Sequence, residues 1–375
     1  MFMNYLREKF LLVLCITATM YQLSHAQWLE RGFLKNEYAE LLKINQRVHI
    51  ARDDWGKENK VPAPENYTLK YRSPSMAFDN RWDLWQHEAN PVAVIAIRGS
   101  IQTEASFLAN LYAAMIPAQG EIQLDSDFKF NYQLSEDPAA AIHVGWFVAM
   151  AYLSRDIVPK IDSCYKEGIK DFLVTGHSQG GGITFLLTSY LHSLQKTGKI
   201  PADIRFKTYC SAGPKPGNLA FAYSYEHENR DWAFNVVNPA DWVPDVPFTV
   251  QTIDDFTEVN PFKGAKAIIK KQKFPKNLAL KHIYNKLSKP SKRAQKNYQQ
   301  YLGKMLSKTV TKQIPDFKIP EYFQSNYYVR TGTMVVLYPD QEYFEEFKED
   351  PAKPNIWLHH LPINYFYLIN NAPDY

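Results

Sequence analysis

The pattern of apolar and polar positions along the chain predicts strands that alternate with helices. Continuous apolar runs rich in β-branched residues favour strands buried on both faces, whereas apolar residues three and four apart favour helices. The predicted strands are Tyr67–Arg72, Trp82–Gln86, Pro91–Arg98, Asp171–Thr175, Ile204–Cys210, Trp232–Val237 and Tyr327–Tyr338. The predicted helices are about Gln27–Arg52, Thr103–Met115, about Val144–Lys166, Gly182–Leu194 and a short last helix near Tyr365. This alternation predicts an α/β protein with a mostly parallel central sheet and helices on both faces.

A basic segment interrupts the alternation after the strand Trp232–Val237. Between Lys263 and Lys312 the chain has 15 Lys and Arg residues and no Asp or Glu, although the net charge of all 375 residues is only +4. Such a shift in composition indicates a separate module, which we place at about residues 249–326. Its apolar residues recur at helical spacing, and Pro290 would end the first of two helices. The sequence therefore predicts an inserted basic helical hairpin.

The charge of this insertion suits an anionic membrane or lipid surface, because Lys and Arg bind such surfaces electrostatically. A charge run that faces only water explains the same pattern and remains the simpler alternative. Nucleic acid is not expected, since Lys dominates over Arg and no nucleic-acid-binding motif is present. The sequence does not indicate an oligomeric state.

The amino-terminal residues have the pattern of a secretory signal peptide. Two basic residues precede the apolar run Phe10–Met20, and Ser24 and Ala26 place small residues at positions −3 and −1 of a cleavage site. A run of this length is shorter than the roughly 20 residues that span a bilayer, which disfavours the alternative of a membrane anchor. We therefore predict a signal peptide at residues 1–26 and a single secreted domain at residues 27–375, extracellular or in the periplasm or cell envelope of a bacterium.

Composition is that of a folded globular protein, with 45% hydrophobic and 22% charged residues. Only Cys164 and Cys210 follow the predicted cleavage site, and each lies in a predicted strand or helix, which favours two free structural thiols over a disulfide. Neither a paired-cysteine motif nor an HExxH motif is present. We therefore expect no metal and no organic cofactor.

The segment Gly176-His177-Ser178-Gln179-Gly180 joins a predicted strand to a predicted helix. In this context the pattern favours a nucleophile elbow, where glycines flank a sharp turn that raises the serine hydroxyl above the sheet edge. The backbone N–H after the serine, at the start of the helix, would then point at a developing oxyanion. A glycine-rich turn with a helix-capping serine is the simpler alternative.

A serine nucleophile needs a histidine base that a carboxylate orients, and elbow enzymes carry them in the order serine, acid, histidine. Asp241 is the preferred carboxylate, because it follows a predicted strand and such sheets place their sites at the carboxyl ends of strands. Asp245 is its competitor, and a structural turn aspartate is the alternative to both.

Three histidines follow Asp241 and could supply the base. His282 lies in a predicted basic helix and is most simply a solvated residue. His359 and His360 come after the last predicted strand, where the third member of such a triad belongs. We prefer His360, although spacing alone does not separate the two neighbours.

Six segments resemble, in order, the motifs of the class 3 (fungal-type) lipases. These segments are IAIRGS, IHVGWF, VTGHSQGG, SAGPKPGN, VVNPADWVPDVP and WLHHLPINYF. The resemblance covers about Tyr67 to Tyr367, apart from the basic insertion. It implies an α/β-hydrolase fold and hydrolysis of carboxylic esters, typically those of acylglycerols.

The resemblance also implies roles for individual residues. Ser178 matches the family's nucleophile and Asp241 its acid, while His360, with Tyr365 five residues later, matches the histidine motif. Ser100, the serine after Arg-Gly, matches the second donor of the oxyanion hole, beside the N–H of residue 179.

Two departures from the family pattern accompany this match. Gln179 stands where the family usually has leucine, but the role needs only its backbone N–H. His360 follows Asp241 by 119 residues, about twice the spacing that the family leads us to expect, and the basic insertion absorbs the excess.

The segment after Ser100, at residues 102–116, resembles the lid of the family. One helical face would carry apolar residues that could cover a dry site. These are Phe107, Leu108, Leu111, Tyr112, Met115 and Ile116. A helix packed into the core would show the same periodicity.

The sequence thus predicts a secreted serine esterase of the lipase type that acts on lipid esters through a Ser-His-Asp acyl-enzyme mechanism. A phospholipase A1 or a short-chain carboxylesterase could use the same triad. A surface lipid-binding protein with an inactive hydrolase fold is the alternative from another class.

Overall fold

The computed structural model describes residues 28–50 and 61–373, so the predicted signal peptide at residues 1–26 lies outside the described part. Within it the strands are β1 (Tyr67–Arg72), β2 (Trp82–His87), β3 (Val92–Ile97), β4 (Met115–Pro117), β5 (Gln119–Asp125), β6 (Phe128–Gln133), β7 (Ala141–His143), β8 (Asp171–His177), β9 (Arg205–Ser211), β10 (Gly217–Asn218), β11 (Ala233–Val237), β12 (Tyr328–Val329) and β13 (Thr333–Val336).

The helices cover most of the remaining chain. They are α1 (Lys35–His49), α2 (Glu104–Leu111), α3 (Val144–Lys166), α4 (Gln179–Lys196), α5 (Leu219–Glu228), α6 (Ala265–Lys270), α7 (Lys276–Gln299), α8 (Leu306–Gln313), α9 (Gln341–Glu346) and α10 (Pro362–Asn371). A π-helical turn, Gln300–Met305, joins α7 to α8. Over residues 28–50 and 61–373, no helix is long and apolar enough to cross a membrane.

Seven strands form the central sheet in the order β1-β2-β3-β8-β9-β11-β13. The first three are antiparallel neighbours, and every following pair, from β3 to β13, is parallel. Parallel neighbours need crossover connections, which the helices supply. The predicted α/β fold, with a mostly parallel central sheet covered by helices, is confirmed.

The sheet separates two apolar cores, and β3 contributes to both. Its six residues are all buried, as the continuous apolar run predicts for a strand covered on both faces. Ile95 and Ile97 pack with residues of α3 and α4, whereas Val94 and Ala96 pack with residues of α1 and α10. Each large apolar side chain buried in this way stabilises the fold by about 1.5–3 kcal/mol.

Cys164 and Cys210 lie in the core that contains α3 and α4, and both are free thiols. Burial raises the pKa of each thiol, so the thiolate is scarce at neutral pH. The prediction of two unpaired structural cysteines is confirmed.

The predicted helix Thr103–Met115 is too long. Helix α2 ends at Leu111, and Met115 and Ile116 instead form β4, which pairs with His143 and Ile142 of β7. Apolar residues that alternate in so short a strand fit helical spacing equally well, so periodicity could not reveal the change. Of the predicted apolar face, only Phe107 and Leu111 are largely exposed.

The predicted break of the insertion at Pro290 is wrong. Helix α7 continues through this proline, and the reversal of the chain lies earlier, between α6 and α7. A proline inside a helix costs about 3 kcal/mol, so packing must offset that cost. The second half of α7 is packed in this way, because Gln295, Tyr298 and Gln299 are buried and the Gln299 amide donates to the carbonyl of Phe323.

The first described residues are tied to the beginning of β8. The N–H of Trp28 donates to Oδ2 of Asp171 over 2.8 Å, and Nε of Arg205 donates to Oδ1 of the same carboxylate over 2.7 Å. Asp171 is buried, and the guanidinium of Arg205 compensates its charge. From this point the chain runs into α1, which packs across the sheet.

Candidate active site

Ser178 lies at the turn between β8 and α4. Its φ of +62° and ψ of −130° are strained for a residue with a side chain. The turn is held because the N–H of Ser178 donates to the carbonyl of Ser211 over 3.0 Å, and the N–H of Gly182 donates to the carbonyl of Ser178 over 3.1 Å. The sharp strand-to-helix turn that the motif predicted is therefore present.

Two glycines make this turn possible by close backbone approach. A Cβ on Gly176 would lie 2.4 Å from the backbone of Gly180, and a Cβ on Gly180 would lie 2.3 Å from the carbonyl oxygen of Ile97. Both contacts are shorter than any side chain tolerates. The flanking glycines of the motif are thus a steric requirement here.

Asp241 and His360, which are 119 residues apart in sequence, are in contact. Nδ1 of His360 donates to Oδ2 of Asp241 over 2.7 Å, and the hydroxyl of Tyr365 donates to the same oxygen over 2.7 Å. The other oxygen, Oδ1, accepts the N–H of Val243 over 2.9 Å. With Nδ1 donating to the carboxylate, the imidazole presents Nε2 on its other side as the nitrogen that can accept a proton.

The other candidates for the acid and the base, Asp245, His359 and His282, lie outside the contact between Asp241 and His360. Nδ1 of His359 bonds the hydroxyl of Tyr343 over 2.9 Å, outside the contact between Asp241 and His360. Asp245 is largely exposed and pairs with Arg330. His282 is exposed on α7 in the insertion.

Ser178 and His360 line one cavity of about 560 Å³. Its wall also includes Gln46, His49, Ser100, Ile101, Gln102, Phe107, His177, Trp357, Leu361 and Pro362. Among the described residues, the hydroxyl of Ser178 has no hydrogen-bond partner, so it is not joined to His360. Such catalytic bonds are often long in unliganded enzymes and tighten when substrate binds. The described ranges hold no cluster of three or more His, Cys, Asp or Glu residues suited to a metal.

Ser100 and Gln179, the predicted oxyanion-hole residues, are linked by Asn110 of α2. The Asn110 amide donates to Oγ of Ser100 over 2.9 Å, and its Oδ1 accepts from Nε2 of Gln179 over 2.8 Å and from Nε1 of Trp146 over 2.9 Å. Gln179 also donates to the carbonyl of Ser106 over 3.0 Å. The side chain of Gln179, which stands where the class 3 lipases usually have leucine, therefore holds α2 beside Ser178 by hydrogen bonds.

His49 is a cavity residue that the motifs did not reveal. Its Nε2 accepts the N–H of Gly99, next to Ser100, over 3.3 Å. Burial, followed by the nearby charges of Arg98 and Arg81, lowers the pKa of His49 to about 3. The imidazole is therefore neutral at physiological pH, as its acceptor role requires.

Two arginines hold the end of α1, which carries His49. The guanidinium of Arg72 donates to the carbonyls of Arg47 and Ile50 over 2.9 and 3.0 Å, and Arg81 donates to that of Val48 over 2.7 Å. Cations favour the carboxyl end of a helix, where carbonyls lack intrahelical partners. These bonds fix α1 against the cavity.

His177, beside the serine, supports the backbone of His360. Its Nε2 lies 2.7 Å from the carbonyl oxygen of His360 and must donate, so its Nδ1 accepts from the hydroxyl of Ser211 at 3.0 Å. Ser211 in turn accepts from the hydroxyl of Tyr38 of α1 at 2.7 Å. Burial lowers the pKa of His177 well below its ordinary value and keeps it neutral.

Several solved structures resemble this chain at low sequence identity. The Rhizomucor miehei lipase–propeptide complex is 19% identical with a TM-score of 0.44, over 56% of this chain and 63% of that one. Lip2 lipase from Yarrowia lipolytica is 20% identical with a TM-score of 0.43, over 58% and 77%. A triacylglycerol lipase described as having a serine protease triad is 21% identical with a TM-score of 0.42, over 56% and 72%.

The chain thus spans less than two thirds of the Rhizomucor miehei lipase. No curated protein matches it. Residues 94–251, which include the elbow and Asp241, match the family model of lipase (class 3). The resemblance found in the sequence motifs is therefore confirmed, and residues 94–251 are similar to the class 3 lipases.

Proposed function

We propose that this protein is a serine hydrolase that cleaves carboxylic esters of lipids. The observation that carries the proposal is the contact of His360 with Asp241 at 2.7 Å, beside a cavity that also exposes the strained Ser178. A buried carboxylate that orients an imidazole toward a serine is the arrangement that activates a hydroxyl nucleophile.

In the proposed mechanism, Ser178 attacks the ester carbonyl while Nε2 of His360 takes its proton. Asp241 stabilises the imidazolium that forms, because its carboxylate already accepts the Nδ1 proton. His360 then returns the proton to the leaving alcohol, and water hydrolyses the acyl-enzyme by the same steps. The N–H groups of Ser100 and Gln179 stabilise the oxyanion, and loss of one such donor typically costs about 3 kcal/mol.

The walls of the cavity suit an ester with an apolar acyl chain. Phe107, Trp357 and Leu361 line it, and both Phe107 and Leu361 are largely exposed at its mouth. Apolar side chains at the mouth of a cavity can bind an apolar chain, and polar groups beside them fix its orientation. An acylglycerol is the proposed substrate, with export through the predicted signal at residues 1–26.

Fluorophosphonate labelling of the purified protein tests the proposal, since only an activated serine reacts. Labelling should be lost in Ser178→Ala and in His360→Ala, because each change removes a member of the triad. His359→Ala is the matched control and should label and hydrolyse nearly as the wild type, since its ring bonds Tyr343 instead. Undiminished labelling of Ser178→Ala would overturn the assignment.

The masses of products released from a mixed lipid panel define the substrate. Fatty acids from acylglycerols support the proposal, lysophospholipids indicate a phospholipase A1, and release from soluble short-chain esters alone indicates a carboxylesterase. An unlabelled protein that binds lipid without product would be an inactive lipid-binding protein.

A further inference from the structure

Helices α6 and α7 of the insertion enclose an open apolar groove of about 580 Å³. We call it the insertion groove and define it by six apolar residues. These are Phe262, Ile268, Ile269, Leu280, Ile283 and Leu287. The six residues that define it lie outside residues 94–251, and the groove shares no residue with the cavity around Ser178.

The side chains of the insertion groove are unusually exposed for apolar residues. Phe262 is 64% exposed, Ile268 52%, Ile283 54% and Leu287 74%. Single exposed apolar residues are ordinary, but a contiguous apolar patch on a soluble protein marks a surface that binds something.

Positive charge surrounds this apolar patch. Of the 15 Lys and Arg residues between Lys263 and Lys312, only Lys263 and Lys292 contact a carboxylate among the described residues. The remaining cations are available to an external anion. Lysines such as Lys270, Lys281 and Lys286 lie exposed on the same two helices.

The insertion is fixed at one end and projects at the other. Near the π-helical turn, the N–H of Ala114 donates to the carbonyl of Leu302 over 3.2 Å, and Gly303 packs directly against Ala114. In contrast, α6 has no buried residue, and in α7 the buried residues begin only at Ser288. The half that carries the groove is therefore held away from the core.

We propose that the insertion groove docks on an anionic phospholipid bilayer. An apolar strip flanked by lysines is the arrangement that lies in the membrane interface, with apolar side chains among the acyl chains and ammonium groups at the phosphates. A soluble polyanion would use the lysines but leave the exposed isoleucine and leucine side chains in water. A bilayer is the partner that can contact both the apolar side chains and the lysines of this surface.

Vesicle binding by the protein from Gln27 onward, without the predicted signal peptide, tests the proposal. Binding to vesicles of phosphatidylcholine with phosphatidylserine should exceed binding to phosphatidylcholine alone by about tenfold or more, and should weaken with salt, because exposed charges are screened. Equal binding to both vesicles would overturn the proposal. Ser178→Ala should bind like the wild type, so docking and the proposed hydrolysis fail independently.

Two triple variants separate the apolar and the charged contributions. The apolar variant is I268S/I283S/L287S and the charge variant is K270Q/K281Q/K286Q. Their matched controls replace exposed residues elsewhere on the body. The controls are I319S/Y338S and K199Q/K318Q/K348Q.

Each groove variant should lose about tenfold in affinity for the anionic vesicles, while both controls bind like the wild type. All four should keep hydrolysis of a small soluble ester and the melting temperature, since the replaced side chains are exposed. Equal losses in groove variants and controls would overturn the proposal. The proposal would also be overturned if the wild type bound heparin but not vesicles and the apolar variant kept that heparin binding.

The depth of the groove in the bilayer supplies an independent readout. In the chain that begins at Gln27, which lacks Cys15, an environment-sensitive dye on L287C should shift to the blue with anionic vesicles, and Cys164 and Cys210 are too buried to compete for the label. The same dye on Y338C is the control and should not shift. A dye at residue 287 that stays in water while the protein is bound would show that the groove does not face the membrane.

Discussion

The hydroxyl of Tyr365 and Nδ1 of His360 donate to the same oxygen of Asp241, each over 2.7 Å. Tyr365 itself accepts the N–H of Asn238 over 3.2 Å, which fixes the phenol. Burial, followed by the charge of Asp241, raises the pKa of Tyr365 well above its ordinary value, so the hydroxyl stays a donor. The carboxylate of Asp241 is therefore held both by Tyr365 of α10 and by the N–H of Val243 in the turn that follows Asp241.

Tyr365→Phe should lower kcat/KM for a soluble ester by about tenfold. A hydrogen bond to a charged group contributes about 1.5–3 kcal/mol, part of which orients Asp241 toward the base. Tyr367→Phe, on the same helix, is the control, because its half-exposed hydroxyl has no hydrogen bond among the described contacts. Equal activity of the two variants would show that Tyr365 is not needed for orientation.

Ser178→Gly should be more stable than Ser178→Ala by about 1 kcal/mol, although both are inactive. The backbone at this position has a φ of +62°, which strains any residue with a Cβ, whereas glycine adopts it freely. The greater entropy of glycine in the unfolded chain opposes the gain and keeps the difference small. Denaturant unfolding of the two variants measures it, and a more stable alanine variant would contradict the strain argument.

Gln179→Leu should loosen α2 without removing the proposed oxyanion donor. The substitution breaks the bonds to Ser106 and Asn110 but retains the backbone N–H. Loss of about 1.4 kcal/mol of local stability would speed amide exchange in Glu104–Leu111 by about tenfold. We expect kcat on a soluble ester to change less than about threefold. Unchanged exchange in α2 would show that this side chain does not fasten the helix.

Lowering the pH should reduce the free energy of unfolding already at pH values above those at which carboxylates take up protons. Burial lowers the pKa of His49 and His143 to about 3 and that of His177 well below its ordinary value of 6.5. Below pH 6.5 the unfolded chain therefore binds protons that the folded protein does not, and stability falls as the pH drops toward 3. His49 and His143 each contribute roughly 1 kcal/mol per pH unit within this window, and His177 acts in the same direction.

The melting temperature measured from pH 7.5 to 5 checks this dependence. His49→Gln should flatten it, because glutamine accepts from Gly99 without a titrating group. His282→Gln should leave it unchanged, since this histidine is exposed. A melting temperature that is constant over the range would contradict neutral buried histidines.

Local constraints explain which features the sequence could predict. The elbow glycines are recognisable because any Cβ at Gly176 or Gly180 would meet backbone, and the strands β3 and β8 are recognisable because burial on both faces demands continuous apolar runs. The geometry also brings the preferred Asp241 and His360 together and leaves His359 on Tyr343.

Features that depend on packing between distant parts of the chain could not be predicted from the sequence. His49 enters the cavity only because Arg72 and Arg81 hold the end of α1, and nothing in its neighbourhood in the sequence indicates that contact. Asn110 joins α2 to the site through three tertiary hydrogen bonds. The helix through Pro290 likewise depends on the docking of Tyr298 against the body, which outweighs a local signal to stop.

The attachment of Trp28 to Asp171 has a practical consequence for handling the protein. Asp171 begins β8 and Ser178 follows its last residue, so the two ends of this strand are about 20 Å apart at roughly 3.3 Å per residue. A solid support coupled to the chain just before Trp28 would hold the molecule near the first residue of β8, at the end of the strand opposite the cavity. Immobilisation at this position therefore leaves the mouth of the cavity turned toward the solution that carries the ester.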